Sequence, residues 1–156
     1  MHVRRGEPRD AAALHAVAAA GGLETTVEAI ARDLADASVV LFVAVADPDP
    51  EPVGFVALRA SLAPPACVRG RAPLQLWRLY LRPEFHGKGV ARLLTGRALV
   101  HASAHGHDVV WLGTAPGNDR AVGFYRKCGF SVAGMAVLPG HGGGHADVVM
   151  ACLLGS

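Results

Sequence analysis

Two glycines one residue apart, at the junction of a strand-like and a helix-like stretch, are where chemistry is most readily placed in this chain. The stretch runs Leu79-Tyr80-Leu81-Arg82-Pro83-Glu84-Phe85-His86-Gly87-Lys88-Gly89-Val90-Ala91-Arg92. Residues 74–81 read as a strand, Arg82-Pro83 ends it, and a helix opens near Gly89. At a helix start several backbone N–H groups lack an intrahelical partner. Together with the helix dipole they make an anion site, and the glycines let a phosphate come close to the main chain. The plainer reading is a strand-to-helix turn whose glycines serve geometry alone.

Two common phosphate loops do not fit. A Walker A loop carries Ser or Thr directly after Gly-Lys, and here Gly89 follows Lys88. Its earlier glycine falls on Arg82. The dinucleotide fingerprint needs Gly or Ala where Arg92 stands. Further on, the strand-like residues 109–114 lead to Asn118, then Ala121, then Phe124-Tyr125 and Gly129-Phe130.

The two stretches together resemble the signatures of the GNAT superfamily of N-acetyltransferases. In its cofactor motif a strand ending in x-Pro is followed by Gln or Arg, two residues, Gly, one residue, and Gly or Ala. His86-Gly87-Lys88-Gly89-Val90-Ala91 matches, with His86 in place of Gln or Arg. That departure leaves the main-chain cradle intact. Asn118, Ala121, Phe124, Tyr125, Gly129 and Phe130 match the second signature in register. The clear matches cover 74–130, and the order of elements extends the likeness to the whole chain.

The resemblance implies acetyl-CoA as co-substrate. Its pyrophosphate would lie on the loop from His86 to Ala91 and beside Arg92, and its pantetheine along the main chain of Leu79, Tyr80 and Leu81. It also implies cofactor contacts from Asn118 and Ala121, and it places Tyr125 near the sulfur. A phenol with a pKa of about 10 can donate to a thiolate whose thiol titrates near 8.5. Tyr125 is therefore the catalytic candidate, against the plainer reading of a core aromatic on an amphipathic helix. Gly129 and Phe130 read as a helix stop and a core residue.

The base is less evident. Many relatives place a Glu near the strand before the loop, where this chain has Gln75. Water, Glu24, His141 or His145 are the alternatives, and Asp147 would orient an amine or simply begin a strand. His101, His105 and His107 gather after the long helix, but no Cys or acid completes a zinc set. No metal is expected. Arg92, Arg120, Arg126 and Lys127 would reach a nucleotide phosphate or be ordinary surface charge.

The remaining elements must position these residues. A first strand covers 2–5, and Asp10 caps a helix through Leu14 and Val17 that Gly21-Gly22 stops. Thr25 and Glu28 have capping-box spacing ahead of a helix with Val27, Ile30, Ala31 and Leu34 on one face. Residues 39–46 and 53–59 form a hairpin, and the proline-bearing 61–73 a loop. The helix 89–104 turns Val90, Leu93, Leu94 and Ala98 inward. A short helix starts at Asn118 or Asp119, and the last strands are 131–138 and 147–154. The order β-α-α-β-β-β-α-β-α-β-β predicts a single α/β (α+β) domain over 1–156. The resemblance implies the GNAT fold, a mixed, mostly antiparallel sheet flanked by about four helices.

Composition agrees with one soluble domain. The 156 residues are half apolar, enough for a sizeable core. A net charge of +2 without a basic run argues against nucleic acid, and no apolar run reaches the roughly 20 residues of a membrane span. Residues 1–7 are short and polar, unlike a signal peptide. Cys67, Cys128 and Cys152 lack metal or redox spacing, which points to the reducing cytoplasm. A homodimer pairing through the apolar last strand is compatible with this. The expected function is acetyl transfer to a primary amine of a small molecule or peptide. The alternative is a non-catalytic acyl-CoA-binding module or sensor, and a longer acyl donor is a further variant.

Overall fold

The structure, a computed structural model, describes residues 1–60, 63–139 and 144–155. Its strands are β1 (His2–Arg5), β2 (Val39–Val45), β3 (Pro52–Arg59), β4 (Pro73–Leu81), β5 (Val109–Thr114), β6 (Ser131–Ala136) and β7 (Asp147–Leu153). Its helices are α1 (Ala11–Ala20), α2 (Val27–Ala35), α3 (Val90–Ala104) and α4 (Asp119–Lys127). The element order is the one the sequence predicts. The strands make one sheet in the order β1-β2-β3-β4-β5-β7-β6. β4 and β5 run parallel, whereas β1-β2, β2-β3, β5-β7 and β6-β7 are antiparallel. The mixed, mostly antiparallel sheet is thus as expected.

Two compact units divide the chain. The first comprises Met1–Arg59 and Trp77–Ala98. Its core sets Leu14, Val17 and Ala18 of α1 and Ile30 of α2 against Val39, Leu41, Val43, Phe55 and Ala57. Phe42, Ala44, Val56 and Leu58, on the alternate positions, are buried as well. Strands covered on both faces account for the unbroken apolar run in this part of the sequence.

The second unit comprises Ala60–Leu76 and Leu99–Ser156. Val68, Val109, Trp111, Leu138 and Val149 form its core. The Asp108 carboxylate accepts from the N–H groups of Arg71 and Ala72 at 2.7 and 2.9 Å, fastening the loop just ahead of β4. Those two bonds hold its pKa below the ordinary carboxylate value. Gly113 leaves room for Leu138, whose Cδ1 would clash with a Cβ at that position.

Three local expectations change. Asp10 does not cap α1 with its side chain. Its carboxylate accepts from Arg4 at 2.8 and 2.9 Å and from the Glu7 N–H at 2.8 Å. Burial raises its pKa, but these donors outweigh burial and leave it below the ordinary value. The cap of α2 is Thr26, whose Oγ1 accepts from Ala29 N–H at 3.0 Å, one residue beyond the expected Thr25. On α3, Val90, Leu94, Ala98 and Ala102 are buried while Leu93 is 44% exposed. Thr95 is buried in its stead, donating to the Ala91 carbonyl at 2.8 Å.

Candidate active site

In the first unit β4 gives way to the glycine turn in a fixed sequence of bonds. Arg82 N–H donates to the Val53 carbonyl at 2.8 Å, tying the strand end to β3. A 3-10 turn, Pro83–Phe85, follows, with His86 N–H donating to the Pro83 carbonyl at 3.1 Å. Gly87 and Gly89 then take φ of 75° and 81°. Both angles lie in the left-handed region that disfavours side chains.

A Cβ built on either glycine would meet nothing within 4 Å. The space beside the turn is therefore open rather than filled by neighbouring side chains. Leu93 N–H donates to the Gly89 carbonyl at 3.1 Å, which makes Gly89 the residue that starts α3. The N–H groups just ahead of Leu93 belong to the turn that lacks intrahelical acceptors. Val90 and Leu94 anchor this end of α3 in the core.

His86, Lys88 and Arg92 are exposed in and next to the turn, and Lys88 Nζ lies 5.9 Å from the centroid of the Phe85 ring. Leu79, Tyr80 and Leu81 are half-buried at the end of β4. Gly54 supports them, since a Cβ there would lie 3.0 Å from the Tyr80 carbonyl oxygen and 3.2 Å from Leu81. Sequence reasoning passed over Gly54, because a lone glycine in a strand gives only a general signal of close backbone approach.

In the second unit Asn118 is the cap of α4, and its Oδ1 accepts from Ala121 N–H at 3.2 Å. That bond is a local reason for the spacing of Asn118 and Ala121. At the other end Gly129 takes φ 101°. Phe130 N–H donates to the Tyr125 carbonyl at 3.0 Å and Gly129 N–H to that of Arg126 at 3.1 Å. This is a Schellman stop, with its usual apolar contact across the end. The contact here joins Tyr125 and Phe130, whose ring centroids are 5.5 Å apart, and Phe124 stands 5.1 Å from Tyr125 on another edge. Tyr125 is half-buried and held by two rings and its own carbonyl.

The residues weighed around proton removal differ in burial. Gln75 and Asp147 are buried, and Glu24 and His145 are exposed. His141 lies outside the described residues. His101 and His105 stack at 4.0 Å between ring centroids, and His107 Nδ1 lies 3.1 Å from the Ala72 carbonyl oxygen. Among the described residues no three His, Cys, Asp or Glu gather as a metal site, and no helix is long and apolar enough to cross a membrane.

Residues 13–130 match the acetyltransferase (GNAT) family. The chain belongs to that family. An uncharacterised N-acetyltransferase of Mycobacterium tuberculosis is 43% identical over 61 residues, 39% of each chain. This chain thus spans about two fifths of the length of the mycobacterial relatives it matches. A peptidyl-lysine N-acetyltransferase of Salmonella typhimurium is 34% identical over 94 residues, 60% of this chain and 52% of that one. The PaiA N-acetyltransferase of Thermoplasma acidophilum, solved with coenzyme A, has a TM-score of 0.69 at 22% identity. It covers 97% of this chain and 98% of its own, a likeness of fold. The turn after His86 keeps both glycines in the left-handed region.

Proposed function

We propose that this GNAT chain moves an acetyl group from acetyl-CoA to a primary amine. The observation that carries the reading is the start of α3. Two left-handed glycines there border open space at a helix N-terminus, which suits a pyrophosphate held by amides. In this reading the main chain from His86 to Ala91 holds the pyrophosphate, with Lys88 and Arg92 as flanking cations. Leu79, Tyr80 and Leu81 hold the pantetheine arm through their main chain, and Asn118 and Ala121 add contacts.

The thioester supplies an activated acyl carbon. As the amine nitrogen bonds to that carbon, the carbon–sulfur bond breaks and the electron pair leaves on sulfur. Tyr125, protonated at neutral pH, donates a hydrogen bond or its proton there. The amine must also lose a proton. β4 carries no acid, and Gln75 cannot accept one, so water or a group beyond β4 takes it. The acceptor class is an amine, and a lysine peptide is the first to try, given the peptidyl-lysine relative. No disulfide joins Cys67, Cys128 or Cys152, which suits a reducing cytoplasm.

Calorimetric titration with acetyl-CoA, repeated on Gly89→Glu, tests the cradle. Saturable binding that the variant loses supports it, and thiol release with a lysine peptide then tests transfer. Absence of binding by the unaltered chain rules out the acetyl-CoA reading.

A further inference from the structure

An arginine pair in the first unit is left over by the cofactor cradle. Arg59, at the end of β3, places its guanidinium carbon 4.0 Å from the centroid of the Trp77 ring. Arg78, next to Trp77 on β4, places its own at 3.8 Å. Asp33 of α2 meets Arg78 at 3.2 Å. Three elements thus bring two guanidiniums and one carboxylate to a single indole, and all four side chains are half-buried.

All three charged groups feel their half-buried setting. Burial pushes both guanidiniums below their ordinary pKa, and for Arg59 the nearby Arg78 adds to that effect. Burial also pushes Asp33 up, despite Arg78 beside it. Arginines stacked on an aromatic face keep their planar fork of donors oriented at its edge. Such forks fit carboxylate and phosphate.

Position along β4 gives the cluster its meaning. The strand runs from Trp77 and Arg78 through Leu79 and Leu81 into the glycine turn. A coenzyme seated with its pyrophosphate at the turn extends its arm back along Leu81 and Leu79. Its reactive end then points toward Trp77 and Arg78. We propose that Arg59 and Arg78, gathered on Trp77, form an oxyanion subsite selecting acceptors that carry a carboxylate or phosphate besides the amine. This deepens the acetyl-transfer reading and rests on it.

Trp77 is one of two tryptophans, and the other, Trp111, is 1% exposed, so indole fluorescence reports on the cluster. Succinate and inorganic phosphate are titrated into the full chain separately, which distinguishes the two oxyanions. The expected result is a saturable change with at least one of them, weakened about tenfold in Arg59→Gln, as for loss of a charge-assisted contact. Arg59→Lys keeps the charge without the fork, should weaken the response less, and serves where Arg59→Gln does not fold. No saturable response to either anion, or one unchanged in both variants, overturns the subsite whether or not the chain transfers acetyl groups.

Thiol release from acetyl-CoA is then compared for 6-aminohexanoate and its carboxamide. The carboxylate should be favoured about tenfold in kcat/KM, mainly through KM, with the preference lost in Arg59→Gln. Equal turnover of the two leaves acetyl transfer standing and removes the subsite. An anion response without turnover of any amine supports the subsite and counts against transfer.

Discussion

Helices α3 and α4 begin in opposite ways. α4 closes its first turn with its own side chain, Asn118 to Ala121 N–H, and α2 does the same with Thr26 to Ala29 N–H. α3 starts from Gly89, which has no side chain to offer, and the space beside it is open. All three starts carry the same orphan amides. A helix that only needs to be stable caps them from within, whereas one that starts at a bare glycine leaves them for something else. The open start is the place to look for an anion, and the closed start of α2 serves as a control.

The largest effect should come from closing the open start. Gly89→Glu puts a side chain on a residue at φ 81° and a carboxylate at the site proposed for the pyrophosphate. Acetyl-CoA affinity should fall on the order of a hundredfold or more by calorimetry, while far-ultraviolet circular dichroism stays near that of the parent. Next comes Tyr125→Phe, at the far end of α4. Its kcat for thiol release should drop about a hundredfold, with acetyl-CoA affinity little changed. A parallel loss of affinity would mean that Tyr125 serves binding rather than leaving-group protonation.

Smaller effects sharpen the contrast. Thr26→Ala and Asn118→Ala should each lose about 1 kcal/mol of stability in denaturant melts, the usual worth of a helix cap. Thr26→Ala should leave acetyl-CoA affinity unaltered, and Asn118→Ala should lower it only to the extent that Asn118 also touches the coenzyme. The smallest effect concerns Asp108, which caps the amides of Arg71 and Ala72. Its depressed pKa means that its contribution is complete above the unfolded value of about 4. The contribution fades as pH falls through the lower folded value. In Asp108→Asn that part of the acid dependence should vanish from melts between about pH 5 and pH 2.

Much of the fold was legible because each element announces itself locally. Residues 109–114 and the helix ended by Gly129 lie where apolar runs and a single glycine place them. The misplacements have nonlocal or crowded causes. Asp10 answers to Arg4, six residues earlier, and no helix-start rule anticipates that competitor. Thr25 and Thr26 are both able caps, and the Glu28 spacing favoured the wrong one. Leu93 fits a helical stripe, but the buried apolar line on α3 runs Val90, Leu94, Ala98, Ala102 with Thr95 beside it, and passes Leu93 by.

Of the candidate site, the glycine turn was readable because its chemistry sits in consecutive residues. The Arg59, Trp77, Arg78 and Asp33 cluster was not. Arg78 and Asp33 are 45 positions apart, and no spacing in the sequence joins them.

The two left-handed glycines also shape how this loop tolerates change over evolutionary time. In the proposed cradle the main chain makes the recognition, so a side chain that only precedes it, such as that of His86, is under little constraint. Only a position whose backbone angle forbids a side chain is fixed. Saturation mutagenesis of residues 84–92 should therefore give its two sharpest peaks of intolerance at Gly87 and Gly89, with smaller losses at the flanking cations Lys88 and Arg92 and at the buried anchor Val90.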